Sequence, residues 1–349
     1  MIKVLHAADF HLDAPFATLP PALAGQRRRE QRNALLQLVK ACKDCDVVLL
    51  SGDLFDGKRV YRDTLDALHA CFAAISAQIF IAPGNHDSIS TGSPYLTENW
   101  GENVHIFTKS AVERVELEGC HVYGAAYDTQ EQEPLQGFCV TDPNVMNLMV
   151  LHSGDNYNPV TEEQIAASGL DYLALGHVHS RQVERAGDTV FAYPGCLMGR
   201  GFDECGQKGV LRVEVSKNEL QSRFLPIFSR RYEILSVQVG EDAAASVRAA
   251  LPGDAAEHAY RVILQGESRP LYLPALQRAL SGCCFHLELV DETYAPQAIW
   301  KDAEEDTLRG TLISNLKSRY EGASPEDASV VLRAAQILNA LMENRDVEL

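Results

Sequence analysis

The sequence lacks any long apolar run. No stretch approaches the roughly 20 consecutive apolar residues that a membrane-spanning helix requires. Polar residues appear as early as Asp9, so the opening segment is typical of a first β-strand. A signal peptide would need a longer apolar run and a small-residue cleavage site. These absences argue against a membrane protein and predict a cytoplasmic one.

Positive charge is also scarce. The chain has 31 Lys and Arg against 48 Asp and Glu, a formal net charge of -17. Affinity for polyanions comes largely from Lys and Arg neutralising phosphates, so the overall field does not favour a simple DNA-binding protein. Acidic composition does suit a site that collects divalent cations. The run Arg27, Arg28 and Arg29 is the only dense basic segment, and we interpret it as a solvated helix face.

Internal repeats and low-complexity segments are absent, and the cysteines form no pattern. Their number is nine, which is odd, and no export signal accompanies them. Cys42 and Cys45 form one C-x-x-C at the end of a predicted helix, without a second pair. We therefore predict reduced thiols in a cytoplasmic protein, and we interpret this pair as helix-face residues near the core in preference to a redox or zinc site.

What is present indicates several domains with a sizeable core. The chain has 349 residues, of which 46% are hydrophobic. Early β-α-β units give way to strand-rich sequence, which predicts an α/β fold with two packed sheets and helices outside them. The order of predicted strands and helices then changes, and we predict three parts: a catalytic domain at 1–228, a small α+β domain at 229–296 and a helical segment at 297–349.

The second and third parts have their own patterns. A β-α-β-α-β order begins near Tyr232 and ends near Leu289. Apolar residues then recur at helical spacing from Leu308, and Ser324 followed by Pro325 marks a second helix start. These terminal helices either pack on their own protein or dock a partner, and the sequence leaves both open.

Five short motifs combine Asp, His and Asn, and most directly follow an apolar strand. They are Asp9-Phe10-His11, Gly52-Asp53-Leu54-Phe55-Asp56, Gly84-Asn85-His86-Asp87, His152 and Gly176-His177-Val178-His179. The carboxyl ends of strands share one edge in α/β folds, so these loops can converge. Any single motif is explained by a turn or a structural histidine. Five in this order make that explanation improbable.

The residue types indicate a metal centre. Carboxylate, imidazole and amide oxygen are ligands for divalent ions such as Mn²⁺, Fe²⁺ or Zn²⁺, and no cysteine accompanies them. There are enough ligands for two ions. Two ions would clamp a phosphoryl oxygen and activate a water between them, so the pattern predicts phosphoester hydrolysis.

The motif set resembles the full signature of the calcineurin-like metallophosphoesterases over about the first 200 residues. The resemblance implies a four-layer α/β/β/α sandwich. It also implies two metal ions, with Mn²⁺ favoured and Fe²⁺ or Zn²⁺ as alternatives. The implied ligands are Asp9, His11 and His179 for the first ion, Asn85, His152 and His177 for the second, and Asp53 for both. His86 is implied as a general acid or phosphate-orienting catalytic residue, with Asp87 as its orienting partner.

A narrower resemblance is to the DNA-repair exonuclease branch of that superfamily. The residues from His6 to Phe16 resemble the SbcD-like nucleases, and Tyr193-Pro194-Gly195 with Glu204-x-Gly206-x-Lys208-Gly209 resembles the YhaO-like subgroup. In this branch a cap domain contacts DNA and C-terminal helices dock a coiled-coil ATPase of the SbcC type. Homodimers are common in it. The resemblance therefore implies a DNA substrate, such an ATPase partner and a homodimer.

Three functions follow from these patterns. The favoured one is a metal-dependent DNA exonuclease that acts in DNA repair. DNA affinity would then depend on the metals, on local arginines such as Arg59, Arg62 and Arg200, or on the ATPase. The first alternative is a small-molecule phosphoesterase acting on nucleotides or cyclic nucleotides. The second is a non-catalytic scaffold, which the complete ligand set disfavours. The sequence identifies no substrate-binding residue.

Overall fold

The computed structural model describes residues 1–57, 59–127, 133–154, 156–217, 219–227, 229–240, 242–268, 271–294 and 299–343. The chain divides into two compact units, Met1–Tyr232 and Glu233–Leu349. The boundary predicted at 228/229 lies a few residues before this division. The boundary predicted at 296/297 falls outside the described residues and stays a prediction.

The first unit contains twelve strands and four helices within the described residues. The strands are β1 (Ile2–Ala7), β2 (Val47–Leu50), β3 (Gln78–Ile81), β4 (Val104–Ile106), β5 (Glu113–Leu117), β6 (Cys120–Gly124), β7 (Met146–His152), β8 (Tyr172–Gly176), β9 (Gln182–Ala186), β10 (Thr189–Tyr193), β11 (Gly209–Val215) and β12 (Leu220–Pro226). The helices are α1 (Pro21–Ala41), α2 (Arg62–Ala73), α3 (Pro94–Thr97) and α4 (Glu162–Ala167).

These strands form two six-stranded sheets. The first has the order β12-β11-β1-β2-β3-β4 and the second β5-β6-β7-β8-β10-β9. Strands β1 to β4 are parallel neighbours, as are β6, β7 and β8. The loops at their carboxyl ends therefore collect at one edge of each sheet.

The burial pattern of β2 explains how the sheets stack. All four residues of its Val-Val-Leu-Leu run are buried, as expected for a parallel strand covered on both faces. Val48 and Leu50 pack in a cluster with α1 and α2. Val47 and Leu49 point the other way, into a cluster shared with the second sheet. The two sheets therefore lie face to face.

The far side of the second sheet completes the layering. Met149 and Leu151 of β7 pack there with Ile165 of α4. From one side to the other the layers are α1 and α2, the first sheet, the second sheet, and α4. The α/β/β/α sandwich predicted for the catalytic part is confirmed.

His6 joins the two sheets behind the loop-bearing edge. Its Nε2 lies 3.2 Å from the carbonyl oxygen of Leu175 and 3.0 Å from Ser51 Oγ, and its Nδ1 lies 2.8 Å from the Tyr172 hydroxyl. A carbonyl only accepts, so Nε2 carries the proton and Nδ1 accepts from Tyr172. Burial lowers the pKa of His6 to about 3, although the bond to Leu175 opposes the shift. The side chain is therefore neutral near pH 7.

The prediction of a solvated helix face is wrong for Arg27. Its side chain is fully buried in α1, where it donates to the Gly199 carbonyl and to Glu30. Its guanidinium also lies over the rings of Phe16 and Tyr232. A buried cation requires partners of this kind. Through its bond to the Gly199 carbonyl, Arg27 holds the Gly199 segment against α1.

The nine cysteines are free thiols. Cys42 and Cys45, the C-x-x-C pair, are buried at the end of α1 in the cluster that α1 and α2 share with the first sheet. Burial raises the pKa of both thiols. A buried thiol with a raised pKa is unreactive, which agrees with the interpretation of the pair as core residues.

The second unit has a small sheet of its own. Its strands are β13 (Tyr232–Gln238), β14 (Ala259–Gln265) and β15 (His286–Asp291), and its helices are α5 (Ala243–Ala250), α6 (Leu273–Ala279), α7 (Leu308–Glu321) and α8 (Pro325–Met342). The sheet order is β13-β14-β15, with β14 and β15 parallel. The predicted β-α-β-α-β order is present. Across the described residues, no helix is both long and apolar enough to cross a bilayer.

Candidate metal centre

Five strand ends supply the side chains predicted as ligands. Asp9 and His11 follow β1, Asp53 follows β2, and Asn85 follows β3. The last three sit at the ends of two strands of the second sheet. His152 ends β7, and His177 and His179 follow β8. The structure brings all seven residues together.

Three overlapping groups of ligand atoms define the centre. Each group has its ligand atoms within 4.8 Å of one another. The groups are Asp9 with His11 and His179, His11 with Asp53 and His86, and Asp9 with Asp53 and His152. Asp53 Oδ2 lies 3.8 Å from His11 Nε2 and 3.4 Å from His152 Nε2, so this carboxylate stands between two ends of the centre.

At the first end two imidazoles face each other with bare nitrogens. His11 Nδ1 lies 3.1 Å from an Asp56 carboxylate oxygen, and His179 Nδ1 lies 2.7 Å from Glu204 Oε1. Carboxylates accept, so both Nδ1 atoms carry protons and both Nε2 atoms are left with lone pairs. Those Nε2 atoms lie 3.2 Å apart. Two acceptors at that separation repel each other unless a cation lies near both.

At the second end the same argument involves a carbonyl and an amide. His152 Nδ1 lies 2.8 Å from the carbonyl oxygen of Ser51, so it donates and leaves Nε2 bare. That Nε2 lies 2.8 Å from Asn85 Oδ1, which is also an acceptor. His177 Nδ1 lies 3.2 Å from the same Oδ1. A cation would satisfy the acceptors at this end as well.

Burial and charge agree with a cationic occupant. Burial lowers the pKa of His11 to about 4, although the Asp56 hydrogen bond opposes the shift. Burial also lowers the pKa of His152 to about 4. Both are neutral near pH 7, which ligation requires. Burial and the neighbouring Asp53 raise the pKa of Asp9 well above its usual value, a cost that a metal ion would remove. The residues fit a pair of divalent ions.

The backbone at the centre is held in a conformation that non-glycine residues rarely adopt. Four predicted ligands have positive φ: Asp9 at 52°, His11 at 44°, Asp53 at 51° and His177 at 98°. Such conformations cost free energy and persist where the surroundings impose them, as at functional sites.

Glycines allow the close approach of the loops. A Cβ on Gly84 would lie 2.2 Å from Asp53 Oδ1, and one on Gly176 would lie 1.9 Å from the Ser51 carbonyl oxygen. These distances are far shorter than any real Cβ contact. The Gly-Asn-His-Asp and Gly-His-Val-His motifs therefore need their glycine so that the backbone can reach the neighbouring loop.

His86 is the exposed member of the centre. Its backbone N–H donates to Asp53 Oδ1 at 2.9 Å, and its Nδ1 lies 3.4 Å from the Asp56 carbonyl oxygen. Its ring packs edge to face on that of His11 at 4.8 Å. It is thus next to the predicted ligands and open to solvent.

Asp87 differs from the orienting role predicted for it. Its carboxylate accepts from the backbone N–H groups of Leu54, Phe55 and Gly84 and from the Tyr95 hydroxyl at 2.6 Å. Among the described hydrogen bonds, none joins it to the His86 ring. A buried carboxylate with these partners fixes the loops after β2 and β3 to each other. It orients the site through the backbone.

Sequence reasoning assigned no role to Asp56 and Glu204 and named Arg200 only as a DNA contact. Arg200 donates to Asp56 at 3.0 Å and to Glu204 at 2.7 Å. Burial opposes ionisation of Glu204, but hydrogen bonds from His179 and Arg200 outweigh it and hold the pKa of Glu204 well below its usual range. The Glu204-x-Gly206-x-Lys208-Gly209 pattern was the signal for this residue.

Comparisons with known proteins agree with the geometry. The profile of the family described as Calcineurin-like phosphoesterase matches residues 2–181. The uncharacterized metallophosphoesterase YhaO of Bacillus subtilis is 30% identical over 267 residues, covering 69% of this chain and 64% of that protein. The DNA double-strand break repair protein Mre11 of Aeropyrum pernix is 28% identical over 236 residues, covering 60% of this chain and 56% of that protein.

The matches therefore span less than two thirds of either relative's length. Among solved structures, that of a novel archaeal phosphodiesterase aligns at 16% identity with a TM-score of 0.37. It covers 64% of this chain and all of that one.

Proposed function

The chain belongs to the calcineurin-like phosphoesterase family, and from that membership we propose that it is a two-metal phosphodiesterase that cuts DNA. The observation that carries the proposal is the convergence of seven predicted ligand side chains from five strand ends. They form two sets of bare acceptors with Asp53 between them. Phosphoester hydrolysis is the activity of the family. The DNA substrate and the number of ions are the proposed part.

Each set of side chains has a place in the reaction. Asp9, His11 and His179 would hold one ion, Asn85, His152 and His177 the other, and Asp53 both. Divalent ions held there would polarise a phosphate and lower the pKa of a bound water, and Mn²⁺ suits the mixed oxygen and nitrogen ligands. The protein contributes rigid loops, held by Asp87, that present these ligands without rearrangement.

His86 has the position of a proton donor. It lies beside the ligand cluster and is exposed to solvent, where a substrate would arrive. Its Nδ1 faces the Asp56 carbonyl oxygen, which only accepts, so Nε2 is left to face substrate. We assign to its imidazolium form, which carries a proton on Nε2 as well as on Nδ1, protonation of the leaving sugar oxygen or stabilisation of the phosphate charge.

DNA is favoured over a small nucleotide because relatives named as DNA double-strand break repair proteins match 50–60% of the chain. The net charge of -17 does not attract DNA phosphates, so affinity for DNA has to come from the metals and from local cations. Of the arginines suggested for that purpose, Arg200 is engaged by Asp56 and Glu204, and Arg62 pairs with Asp66.

The test is Mn²⁺-dependent cleavage of end-labelled single- and double-stranded DNA, run beside bis-p-nitrophenyl phosphate and a nucleotide. We expect progressive shortening of DNA that is absent in Asp53→Asn. Cleavage of the nucleotide in preference to DNA would instead support the small-molecule reading. Protein that binds Mn²⁺ but cleaves no diester would leave only the scaffold.

A partner is proposed for the helix pair of the second unit. Leu308 on α7 and Val330 and Leu341 on α8 are exposed apolar side chains, as a docking surface for a coiled-coil ATPase would require. Co-expression with a candidate ATPase followed by size-exclusion chromatography tests this. Leu308→Ser and Val330→Ser should abolish co-elution without changing hydrolysis of the generic diester.

A further inference from the structure

The first end of the metal centre is enclosed by charged residues that are not ligands. Arg200 bridges two carboxylates, with Nη1 3.0 Å from Asp56 Oδ1 and Nη2 2.7 Å from Glu204 Oε1. Each carboxylate in turn faces one imidazole, Asp56 that of His11 and Glu204 that of His179. One guanidinium thus ties together the supports of two predicted ligands that come from different sheets.

The loop that carries this arrangement is tightly built. Glu204 is 3% exposed, and its second oxygen accepts the backbone N–H of Arg200 at 2.8 Å. Arg27, buried in α1, donates to the Gly199 carbonyl at 2.8 Å. The 199–204 segment is therefore fixed from both sides, and its carboxylate is held before any ion arrives.

The contacts of His179 decide its tautomer. Its Nδ1 lies 2.7 Å from Glu204 Oε1 and 3.3 Å from Arg200 Nη2. A guanidinium can only donate, so it would need an unprotonated Nδ1, whereas a carboxylate needs a protonated one. The carboxylate contact is shorter and charge-assisted, so Nδ1 keeps the proton and Nε2 is left free.

We propose that Glu204, bridged by Arg200 to Asp56, is the positioning residue of the first metal position, and that it fixes the His179 tautomer needed for ligation. This rests on the proposed function, since it assumes that the centre takes divalent ions. Among the described hydrogen bonds, none joins a predicted ligand side chain of the second position to a supporting carboxylate. There His152 faces a neutral carbonyl, that of Ser51. Loss of Glu204 should therefore weaken the binding of the ion at the first position and leave the binding of the other ion unchanged. Removing a carboxylate behind a ligating imidazole typically costs 10–100-fold in metal affinity.

The first experiment is a Mn²⁺ titration followed by electron paramagnetic resonance of the free ion. We expect two sites in the wild type, and in Glu204→Gln one site weakened about 10–100-fold with the other changed less than about threefold. Glu184→Gln, the same substitution on the exposed strand β9, is the matched control. Two unchanged sites in Glu204→Gln would overturn the proposal, as would equal weakening of both.

The second experiment needs no metal. Long-range ¹H–¹⁵N spectra of histidine-labelled, metal-free protein report which nitrogen of His179 is protonated, with His179→Asn giving the assignment. We expect the Nδ1–H tautomer in the wild type and a tautomer mixture in Glu204→Gln. An unchanged tautomer would overturn the proposal. Failure of the wild type to bind Mn²⁺ would overturn the two-metal function, and the tautomer would still decide the role of Glu204.

If Glu204→Gln does not fold, Asp56→Asn serves at the other side of the same bridge. Its side chain is only partly buried, and it supports His11. Weakening of one Mn²⁺ site is again the expected result. Two sites of wild-type affinity in that variant would contradict the proposal.

Discussion

The two ends of the metal centre are alike in their ligands and unlike in what stands behind them. At the first end the imidazoles of His11 and His179 donate to carboxylates that a partly buried arginine, Arg200, joins. At the second, His152 donates to a main-chain carbonyl and Asn85 supplies a neutral oxygen. A carboxylate behind an imidazole makes it a stronger ligand. We therefore expect the first position to bind its ion more tightly than the second.

The largest effect is expected from a substitution that weakens both ends of the centre at once. Asp53 stands between the ends, so Asp53→Asn should weaken both Mn²⁺ sites and lower diesterase activity by at least about 10³-fold. The measurement is kcat on bis-p-nitrophenyl phosphate together with Mn²⁺ stoichiometry. Activity within tenfold of the wild type would show that the carboxylate does not bridge the two ends.

The second-largest effect is expected from a substitution that leaves both metal positions intact. His86→Asn removes the exposed imidazole, and we expect kcat to fall about 10²–10⁴-fold, as for loss of a general acid. Both Mn²⁺ sites should keep their affinities. If a Mn²⁺ site is lost together with activity, His86 belongs to the ligand set or holds the loop.

A smaller effect is expected from a substitution that weakens metal binding at the first end only. Arg200→Lys keeps the charge but loses the fork that reaches Asp56 and Glu204 together, so the first Mn²⁺ site should weaken about tenfold and the second should not. Arg185→Lys on β9 is the control, since its side chain is exposed. Equal affinities in wild type and Arg200→Lys would mean that the two carboxylates need no bridge.

The smallest effect lies behind the centre, at His6. Its pKa is near 3 in the folded protein and about 6.5 in the unfolded chain. Between those values the unfolded chain binds more protons, so stability is full above pH 6.5 and is lost as pH falls toward 3. His6 contributes at most about 1.4 kcal/mol per pH unit to that loss.

The measurement is urea unfolding of metal-free protein at pH 7.5 and 5.5. The free energy of unfolding should fall less between these values in His6→Asn than in the wild type. Equal slopes would show that His6 is protonated in the folded state or contributes nothing to the pH dependence.

Much of the fold followed from local pattern. The opening segment, expected to be a first β-strand, forms β1, and the motifs expected to follow apolar strands do follow β1, β2 and β3. Arg27 was misjudged because charge patterning alone gives no sign that a loop from far along the chain, at Gly199, would bury an arginine. The same limit applies to Asp87, which accepts from Leu54 and Phe55 on the loop after β2, whereas none of the described hydrogen bonds joins it to the His86 ring.

The sequence by itself determined the chemistry of the site, because each motif places oxygen and nitrogen ligands at a strand end, and strand ends of a parallel sheet meet at one edge. Only the tertiary structure decided which nitrogen of His11, His152 and His179 is free. That depends on Asp56, Ser51 and Glu204, which reach the ligands through hydrogen bonds between segments distant in the chain. Hydrogen bonds of that kind leave no periodicity or spacing to read, so the unequal support of the two metal positions became visible only in three dimensions.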